Sequence, residues 1–350
     1  MYENISKERV FICNTVYQLI VAIRIHMSIK GESYLVVTNQ INNILQISER
    51  IKDTELFKKV IIGDVKTNKS SARLIKECIW GANIKELDDL KIDELICFNF
   101  DIFSHSIYAQ LFKNNRNIVI NKMEEGLLSY NTPTSTCRVL KVSNTIRKIL
   151  GKQSLREQVE GFYCFLPTAY RGALNTIQIS RISQNDLEIR RLLNHIFILQ
   201  KIEPYKEKFI FLSCIYDIEG GNAIGELALA KRIADYVGSD NFIVKVHPRD
   251  DKQKYIEAGL KVDRNSDIPW EVVQINLDFS NKTLITTLSG SILNFNPVLE
   301  TVPKSYYGYN MCQLNGNHLA SHYKCVLENY LSNDSLGLRN IQILESFEEL

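Results

Sequence analysis

Two adjacent carboxylates and a glycine, Glu124, Glu125 and Gly126, follow an apolar run at residues 117–120. Polar residues at the end of a buried strand face the ligand in open parallel sheets. One of these acids could therefore act as a general base on a hydroxyl group. Gly126 would permit a tight turn or a close approach of substrate. The alternative is an ordinary acidic turn in solvent.

A His-Pro step, His247 and Pro248, follows a second apolar run at residues 242–246. Proline fixes its own φ angle and keeps the preceding residue out of the helical region, which holds the imidazole rigidly at the strand end. An imidazole there can hydrogen-bond or protonate a phosphate oxygen, and Lys245 and Arg249 could add positive potential. The alternative is a histidine that only satisfies a local carbonyl. The other histidines have no comparable setting: His26, His105, His195, His318 and His322.

Small hydroxyl residues surround a glycine in Ser289, Gly290 and Ser291, after the apolar run 283–287. Serine hydroxyls and backbone N–H groups can hold a phosphate or a carboxylate, especially where a helix begins. The alternative is a polar turn in which a serine caps a short helix.

A fourth stretch places Asp217 and Glu219 before two glycines, between a strand at 209–214 and a helix at 223–237. It is a second source of a general base. It is equally compatible with an ordinary loop that carries acids at the start of a helix.

The elements that must position these residues are visible as short apolar runs that alternate with longer segments of helical period. The predicted strands are 9–13, 34–37, 60–62, 95–99, 117–120, 209–214, 242–246 and 283–287. The predicted helices are 16–29, 43–51, 71–80, 106–112, 223–237 and 269–275. Nearly all-apolar strands that alternate with helices predict parallel sheets with helices on both faces.

The length of 350 residues is enough for two domains. We predict an α/β, GT-B-like fold with two Rossmann-like domains facing a central cleft, at residues 1–160 and 208–350, and a crossover region at 161–207. Glu125 and His247 would then lie on different domains. His247 and Ser289 are close enough in sequence to follow neighbouring strands.

The motifs Glu124-Glu125-Gly126, His247-Pro248 and Ser289-Gly290-Ser291 resemble, in this order, motifs shared by bacterial sialyltransferases. The opening run 11–19, FICNTVYQL, resembles the start of glycosyltransferase family 52, which includes lipooligosaccharide and capsule sialyltransferases. The resemblance covers most of the chain in the order and setting of the motifs, although the middle segment carries none of them.

This resemblance implies an inverting transfer of sialic acid from CMP-sialic acid to a sugar hydroxyl of a surface glycan. The first domain would be the acceptor side and the second the donor side. His247 would be the general acid at the donor phosphate, and Ser289 and Ser291 would bind that phosphate. The base would be Glu124 or Glu125, or alternatively Asp217 or Glu219 in the second domain, with Asp217 narrowly favoured. Asn14, in the opening run, would contact substrate.

Composition narrows the class of protein further. The formal net charge of +2 gives no global sign of nucleic-acid binding. The sequence has no Asp-x-Asp motif beside an apolar strand, no zinc-type pattern of cysteines and histidines, and no phosphate-binding glycine loop. We therefore expect no metal or cofactor. The chain also lacks a long apolar run or a signal-like start, which predicts a cytoplasmic protein whose eight cysteines are mostly buried and reduced.

Residues 141–156 form a basic stretch with interleaved apolar residues, KVSNTIRKILGKQSLR. It could hold the protein against an anionic membrane surface, or it could be a solvated linker helix. The family resemblance also suggests a homodimer.

Two further functions stay open at this point. The first is a glycosyltransferase of the same architecture that uses another nucleotide sugar, such as UDP-glucose or UDP-galactose. The second is a non-catalytic glycan- or nucleotide-binding protein with this fold. Competition binding among CMP, UDP and GDP would separate the first from a sialyltransferase, and turnover would exclude the second.

Overall fold

The computed structural model describes residues 7–65, 69–130, 137–198, 200–293, 303–333, 338 and 340–350. The chain divides into two compact units. The first comprises Met1–Glu125 and Ser129–Ser180, and the second comprises Gly126–Leu128 and Arg181–Leu350. Each unit has its own parallel sheet, with helices alternating along the chain. The predicted α/β class is confirmed.

The sheet of the first unit has seven strands within residues 7–65, 69–130 and 137–198. They are β1 (Lys7–Cys13), β2 (Gly31–Thr38), β3 (Lys59–Gly63), β4 (Glu94–Cys97), β5 (Val119–Met123), β6 (Val159–Cys164) and β7 (Asn175–Gln178). Their order is β3-β2-β1-β4-β5-β6-β7, and every adjacent pair is parallel. The direction of chain progression reverses between β1 and β4, which is where open α/β sheets bind ligands.

Three of the five helices described in the first unit begin at a side chain that caps them. The five are α1 (Val16–Ser28), α2 (Ile44–Asp53), α3 (Ser71–Trp80), α4 (Ile102–Asn114) and α5 (Arg138–Ile149). The capped helices are α1, α3 and α4. Thr15 accepts a hydrogen bond from the N–H of Gln18 at the start of α1, and Asp101 accepts one from the N–H of Ser104 at the start of α4. These caps fix the turns that follow β1 and β4, because each satisfies an otherwise unpaired N–H.

The first sheet continues past residue 160, into the segment that the sequence assigned to the crossover region. Strand β7 is exposed at every position and reads Asn-Thr-Ile-Gln, so it lacks the apolar signal of a buried strand. Strand β5 likewise ends later than residue 120, because Asn121 and Lys122 are buried within it. Asn121 donates to the Glu94 carboxylate at 2.6 Å, and the Lys122 ammonium donates to the carbonyl of Ser129.

The sheet of the second unit has five strands within the described part of residues 200–350. They are β8 (Phe209–Leu212), β9 (Phe242–Lys245), β10 (Thr283–Thr286), β11 (Lys304–Tyr307) and β12 (Ile341–Ile343). The helices among its described residues are α6 (Leu187–Phe197), α7 (Glu226–Val237), α8 (Lys252–Glu257), α9 (Trp270–Asn276) and α10 (His318–Leu331). The described helices include none that is long and apolar enough to cross a membrane.

The strand order of the second sheet corrects one expectation. The order is β12-β11-β10-β8-β9, so β8 lies between β9, which precedes His247, and β10, which precedes Ser289. His247 and Ser289 therefore do not follow neighbouring strands. Sequence separation could not reveal this, because β8 comes before both strands in the chain and enters the sheet between them. The order reverses at β8 and β10, which makes these two strand ends the expected ligand site of the second sheet.

All eight cysteines are free thiols, and five of them are buried. Cys137 and Cys325 are exposed, so the expectation of burial holds for most but not all of them.

Candidate active site

Polar side chains meet at the carboxyl end of the first sheet, where its strand order reverses. Asn14 follows β1 and donates from Nδ2 to the carboxylate of Asp101 at 3.1 Å. Its backbone N–H donates to Oε1 of Gln18 at 2.7 Å. Asn14 is 2% exposed, so it joins the turns after β1 and β4. Its predicted contact with substrate is not tested by this geometry.

Glu124 lies at the end of β5 and is 1% exposed. Its carboxylate accepts hydrogen bonds from the hydroxyls of Tyr17 at 3.1 Å and Tyr130 at 2.5 Å, and from the backbone N–H of Phe165 at 2.8 Å. Burial raises the pKa of Glu124 to about 7, although these three donors oppose the shift. Glu124 thus ties α1, β5 and the end of β6 together and is not open to a substrate.

Glu125 is the more accessible of the two acids, because successive residues of an extended chain point to opposite sides. It is half-buried, and its Oε1 accepts a hydrogen bond from the hydroxyl of Thr15 at 3.3 Å. Gly126 has a φ angle of 68°, and a Cβ added there would meet nothing within 4 Å. The glycine is therefore required by the left-handed turn and not by close packing.

At the carboxyl end of the second sheet, the residue that follows β8 holds the turn that follows β9. The hydroxyl of Ser213, directly after β8, accepts a hydrogen bond from the backbone N–H of His247 at 2.8 Å. Pro248 follows and is exposed. The His-Pro step is therefore fixed on one side by a tertiary hydrogen bond and on the other by the proline ring.

The tautomer of His247 follows from its contacts. Its Nδ1 accepts a hydrogen bond from the backbone N–H of Arg249 at 3.1 Å, so the neutral ring carries its proton on Nε2. Burial, together with the charge of Arg249, lowers the pKa of His247 to about 4. At neutral pH the imidazole is uncharged, and Nε2–H is a hydrogen-bond donor. The Arg249 guanidinium itself pairs with Glu219 at 3.0 Å in an exposed contact.

The two serines after β10, Ser289 and Ser291, are hydrogen-bonded to each other. The hydroxyl of Ser289 accepts a hydrogen bond from the N–H of Ser291 at 3.2 Å and donates to the hydroxyl oxygen of Ser291 at 2.9 Å. Ser291 can then donate its own hydroxyl hydrogen to an anion. Gly290 leaves no room for a side chain, because a Cβ there would lie 2.7 Å from the hydroxyl of Tyr323.

Asp217 caps the start of α7. Its Oδ1 accepts from the N–H groups of Ile224 at 2.7 Å and Gly225 at 3.1 Å, and its Oδ2 accepts from the N–H of Glu226 at 3.1 Å. Both oxygens are therefore committed to backbone donors. This is the alternative that the sequence left open, an acid at a helix start.

Asn317 holds the rest of this loop and was missed by the sequence analysis. It is fully buried, and its Nδ2 lies within hydrogen-bond distance of the carbonyls of Tyr216, Glu219 and Asn222. Gly220 sits against it, since a Cβ there would lie 2.4 Å from the Asn317 Oδ1. The glycine pair therefore reflects close packing of two loops.

Glu226 is a second buried carboxylate that the sequence analysis missed. It is 1% exposed and accepts hydrogen bonds from the N–H of Cys214 at 2.8 Å, the hydroxyl of Tyr255 at 3.2 Å and the hydroxyl of Thr287. Burial raises the pKa of Glu226 to about 7. The residue joins the ends of β8 and β10, the two strands at which the sheet order reverses.

Lys245 does not supply positive potential to this edge, contrary to the expectation. Its ammonium group is buried and donates to Asp263 at 3.2 Å and to the carbonyls of Asn265 at 3.0 Å and Ile268 at 3.1 Å. As the last residue of β9, it points into the unit, while His247, two residues later, lies beyond the strand.

The predicted residues thus form two groups, one in each unit. The first unit brings together Asn14, Glu124 and Glu125, and Gly126 is the next residue in the chain. The second unit carries Asp217, Glu219, His247, Arg249 and the serine turn at the carboxyl end of its sheet. The first group offers a carboxylate, and the second offers neutral hydrogen-bond donors suited to an anion. Within the part of the chain that the structure describes, no cluster of three or more His, Cys, Asp or Glu could hold a metal ion.

Comparison with known proteins gives one family. The family model described as alpha-2,8-polysialyltransferase (POLYST) matches residues 9–307. No curated protein matches the chain. Among solved structures, a UDP-N-acetylglucosamine 2-epimerase is similar over 95% of this chain and 89% of its own, with 11% identity and a TM-score of 0.44. A glycosyl transferase of family 9 from Veillonella parvula DSM 2008 is similar over 87% of this chain and 81% of its own, with 12% identity and a TM-score of 0.36.

Proposed function

This chain belongs to the alpha-2,8-polysialyltransferase family, and from that premise we propose that it transfers sialic acid from CMP-sialic acid to a bacterial surface glycan. Membership makes the chain a glycosyltransferase of the sialyltransferase kind, as the motif order predicted. Its placement in glycosyltransferase family 52 stays a prediction.

The acceptor we propose is a hydroxyl of a terminal sialic acid on a capsular or lipooligosaccharide glycan. The name of the matching family, which specifies an α-2,8 linkage, supports the hydroxyl at carbon 8. The acceptor oxygen attacks the anomeric carbon of the donor, the bond from that carbon to the phosphate oxygen breaks, and CMP leaves with the bonding electrons. Attack opposite to the leaving group inverts the anomeric configuration.

The observation that carries the donor assignment is the Nε2–H of His247. It is a neutral donor with a fixed tautomer, at the edge of the sheet where parallel strands bind ligands. Negative charge grows on the phosphate as CMP departs, and a donor held in place stabilises that charge without reorganising. Ser289 and Ser291 would add hydroxyl donors to the same phosphate. An approaching phosphate also favours the protonated imidazole, which allows His247 to act as the acid.

We propose Glu125 as the base that takes the proton from the acceptor hydroxyl. Asp217 has both oxygens bonded to backbone N–H groups, Glu219 pairs with Arg249, and Glu124 is buried. Glu125 is half-buried, its Oε1 accepts a hydrogen bond from the Thr15 hydroxyl at 3.3 Å, and it lies directly after the buried Glu124 at the carboxyl end of β5, where a carboxylate can take a proton from a hydroxyl.

The first test is hydrolysis of CMP-sialic acid without acceptor, followed by CMP release. We expect the wild type to release CMP and His247→Ala to release it about 100- to 1,000-fold more slowly, because a lost oxyanion donor costs this much. His195→Ala is the matched control, since His195 is an exposed histidine of the same unit. Its rate and the melting temperatures of both variants should match those of the wild type.

Competition binding identifies the donor independently. CMP should raise the melting temperature of the wild type, whereas UDP and GDP should not. Stabilisation by UDP alone, with no CMP release, would contradict the proposal and favour a transferase that uses another nucleotide sugar. Wild-type CMP release by His247→Ala would reject the role of this histidine while leaving the donor in place.

A further inference from the structure

An apolar and basic surface lies where α3 and α5 end side by side in the first unit. Arg147, near the end of α5, is 1% exposed and donates from Nη1 to the carbonyls of Cys78 at 3.2 Å and Ile79 at 3.5 Å, near the end of α3. Its Nη2 also donates to the carbonyl of Gln153 at 2.8 Å. Arg147 belongs to the basic stretch 141–156 that the sequence suggested as a membrane-binding surface, but its side chain is buried. The residue instead clamps the two helix ends and the following turn into one rigid face.

Three large apolar side chains are exposed on that face. Trp80, the last residue of α3, is 48% exposed, and Ile149 and Leu150, at the end of α5, are 79% and 46% exposed. Gly151 ends the helix with a φ angle of 67°, which turns the chain directly after these two residues. Apolar residues this exposed and this close together are typical of a contact surface and not of scattered surface residues.

Cations surround the apolar residues. Residues 138–152 contain five Lys and Arg and no Asp or Glu, and all but Arg147 are exposed or half-buried. The ammonium group of Lys152 lies 3.8 Å from the ring centre of Trp80. Burial lowers the pKa of Lys152, and the charges of Arg147, Lys113 and Arg116 add to this shift, which places α4's basic end beside the same surface. Glu157 also lies near these cations: hydrogen bonds from Ser154, and then the charge of Lys148, lower its pKa, and its carboxylate accepts from the N–H of Ser154 at 3.0 Å.

We propose that this surface, formed by Trp80, Ile149, Leu150, Lys141, Lys148 and Lys152, binds the anionic headgroup region of a lipid bilayer. Tryptophan and aliphatic side chains enter the headgroup boundary, while lysines bind the anionic lipids around them. A soluble polyanion would use the lysines but would leave the exposed tryptophan, isoleucine and leucine without a partner. The combination of both residue types on one clamped face therefore favours a membrane.

The test is flotation of the purified 350-residue chain with two kinds of vesicle, phosphatidylcholine alone and phosphatidylcholine mixed with phosphatidylglycerol. We expect binding to the mixed vesicles, weaker binding at high salt, and little binding to phosphatidylcholine alone. The triple variant Lys141→Gln, Lys148→Gln, Lys152→Gln should bind roughly 100-fold more weakly, at about fivefold for each cation. The double variant Ile149→Asn, Leu150→Asn should lose about tenfold or more.

The matched control is Lys201→Gln, Lys231→Gln, Lys252→Gln, which removes the same charge from exposed positions of the second unit. It should float like the wild type, and all variants should keep the wild-type melting temperature and CMP release. Three results would overturn the proposal: no flotation of the wild type, wild-type flotation of the lysine variant, or equal loss in the control. Binding to a soluble acidic polysaccharide that needs the lysines but not Ile149 and Leu150 would also overturn it, in favour of a polyanion site.

Discussion

The carboxyl end of the first sheet and that of the second each bury one glutamate, and the two are bonded in nearly the same way. Glu124 accepts from two tyrosine hydroxyls and one backbone N–H. Glu226 accepts from a tyrosine hydroxyl, a threonine hydroxyl and one backbone N–H. Burial raises the pKa of both to about 7. In each unit a buried acid thus fixes strand ends, while a different residue remains accessible.

The two edges differ in what the accessible residue can do. In the first unit it is Glu125, an acceptor of protons, and in the second it is His247, a donor from Nε2. The charges beside the buried acids also differ. The positive charge of Lys122 lowers the pKa of Glu124, whereas the negative charge of Asp217 raises that of Glu226. In both units, therefore, the buried carboxylate at the strand end stabilises the fold. The residue for which we propose a chemical role is a different one, the next residue in the first unit and a residue after the neighbouring strand in the second.

Replacing Glu125 should distinguish the proposed roles of the two sheet ends most clearly, because it should affect transfer and not donor binding. We expect Glu125→Gln to slow transfer to an acceptor by about 100- to 10,000-fold, because a general base contributes this much. CMP binding and CMP release without acceptor should stay at the wild-type level, since the proposed donor contacts lie in the second unit. Both rates would be measured on the same preparation.

The control for this prediction is Glu160→Gln, which neutralises an exposed glutamate of the same unit. It should transfer at the wild-type rate. If Glu125→Gln also transfers at the wild-type rate, the base is another residue. The proposal that the first unit supplies the base and the second unit the donor contacts would then be wrong.

Truncating the buried acids should affect stability instead. We expect Glu124→Ala and Glu226→Ala each to lower the free energy of unfolding by about 3 kcal/mol, because the N–H and hydroxyl donors around each carboxylate lose an acceptor. For a unit of this size that corresponds to a fall in melting temperature of roughly 6–12 °C. Of the donors around Glu226, the Tyr255 hydroxyl keeps a second acceptor, Asp250, at 3.0 Å. Glu→Gln at either position should cost much less, because the amide keeps one acceptor oxygen. The hydroxyls can rotate to accept from its N–H₂ group.

Calorimetry of the four variants would check this prediction. A smaller loss for Glu226→Ala than for Glu226→Gln would show that the three donors find other partners. An effect in one unit and none in the other would break the comparison between the two glutamates.

Much of the fold could be predicted, because β1, β8 and β10 are apolar runs buried on both faces. The prediction failed where polar residues enter the sheet. Strand β7 is an exposed edge strand, and β5 carries a buried asparagine and lysine whose partners, Glu94 and Ser129, lie outside the local pattern. Hydrophobic periodicity identifies a buried strand only when the buried residues are apolar.

The candidate site residues also differ in whether their setting depends on local sequence or on contacts between distant residues. His247 was identifiable because proline restricts it locally. Glu226 and Asn317 act through contacts that are distant in sequence: Thr287 lies 61 residues from Glu226, and the Tyr216 carbonyl lies 101 residues from Asn317. Asp217 matched a motif by type, yet its geometry is that of a cap. A single sequence gives the types and spacings of the residues, but it does not show which side chains are in contact in the folded protein.

The smallest expected effect concerns pH. An unfolded glutamate has a pKa near 4.5, and the folded pKa of Glu226 is raised to about 7. Between these values the folded state binds more protons than the unfolded state, so this group makes stability fall as pH rises. We expect Glu226 to account for about 1–3 kcal/mol of such loss between pH 4.5 and 7. The amide in Glu226→Gln cannot titrate, so this variant should lack the contribution of Glu226 to the pH dependence of the unfolding free energy.

The measurement is the difference in unfolding free energy between the wild type and Glu226→Gln across that window, repeated for Glu124→Gln. Differences are needed because His247 and His105, whose pKa values burial lowers to about 4, make stability rise with pH over nearly the same range. That contribution is common to the wild type and both variants, and it cancels. A flat difference for Glu226 would mean that its carboxylate ionises as readily in the folded chain as in the unfolded one. The hydrogen-bond donors would then balance the effect of burial there, and the two glutamates would be alike in geometry but not in energy.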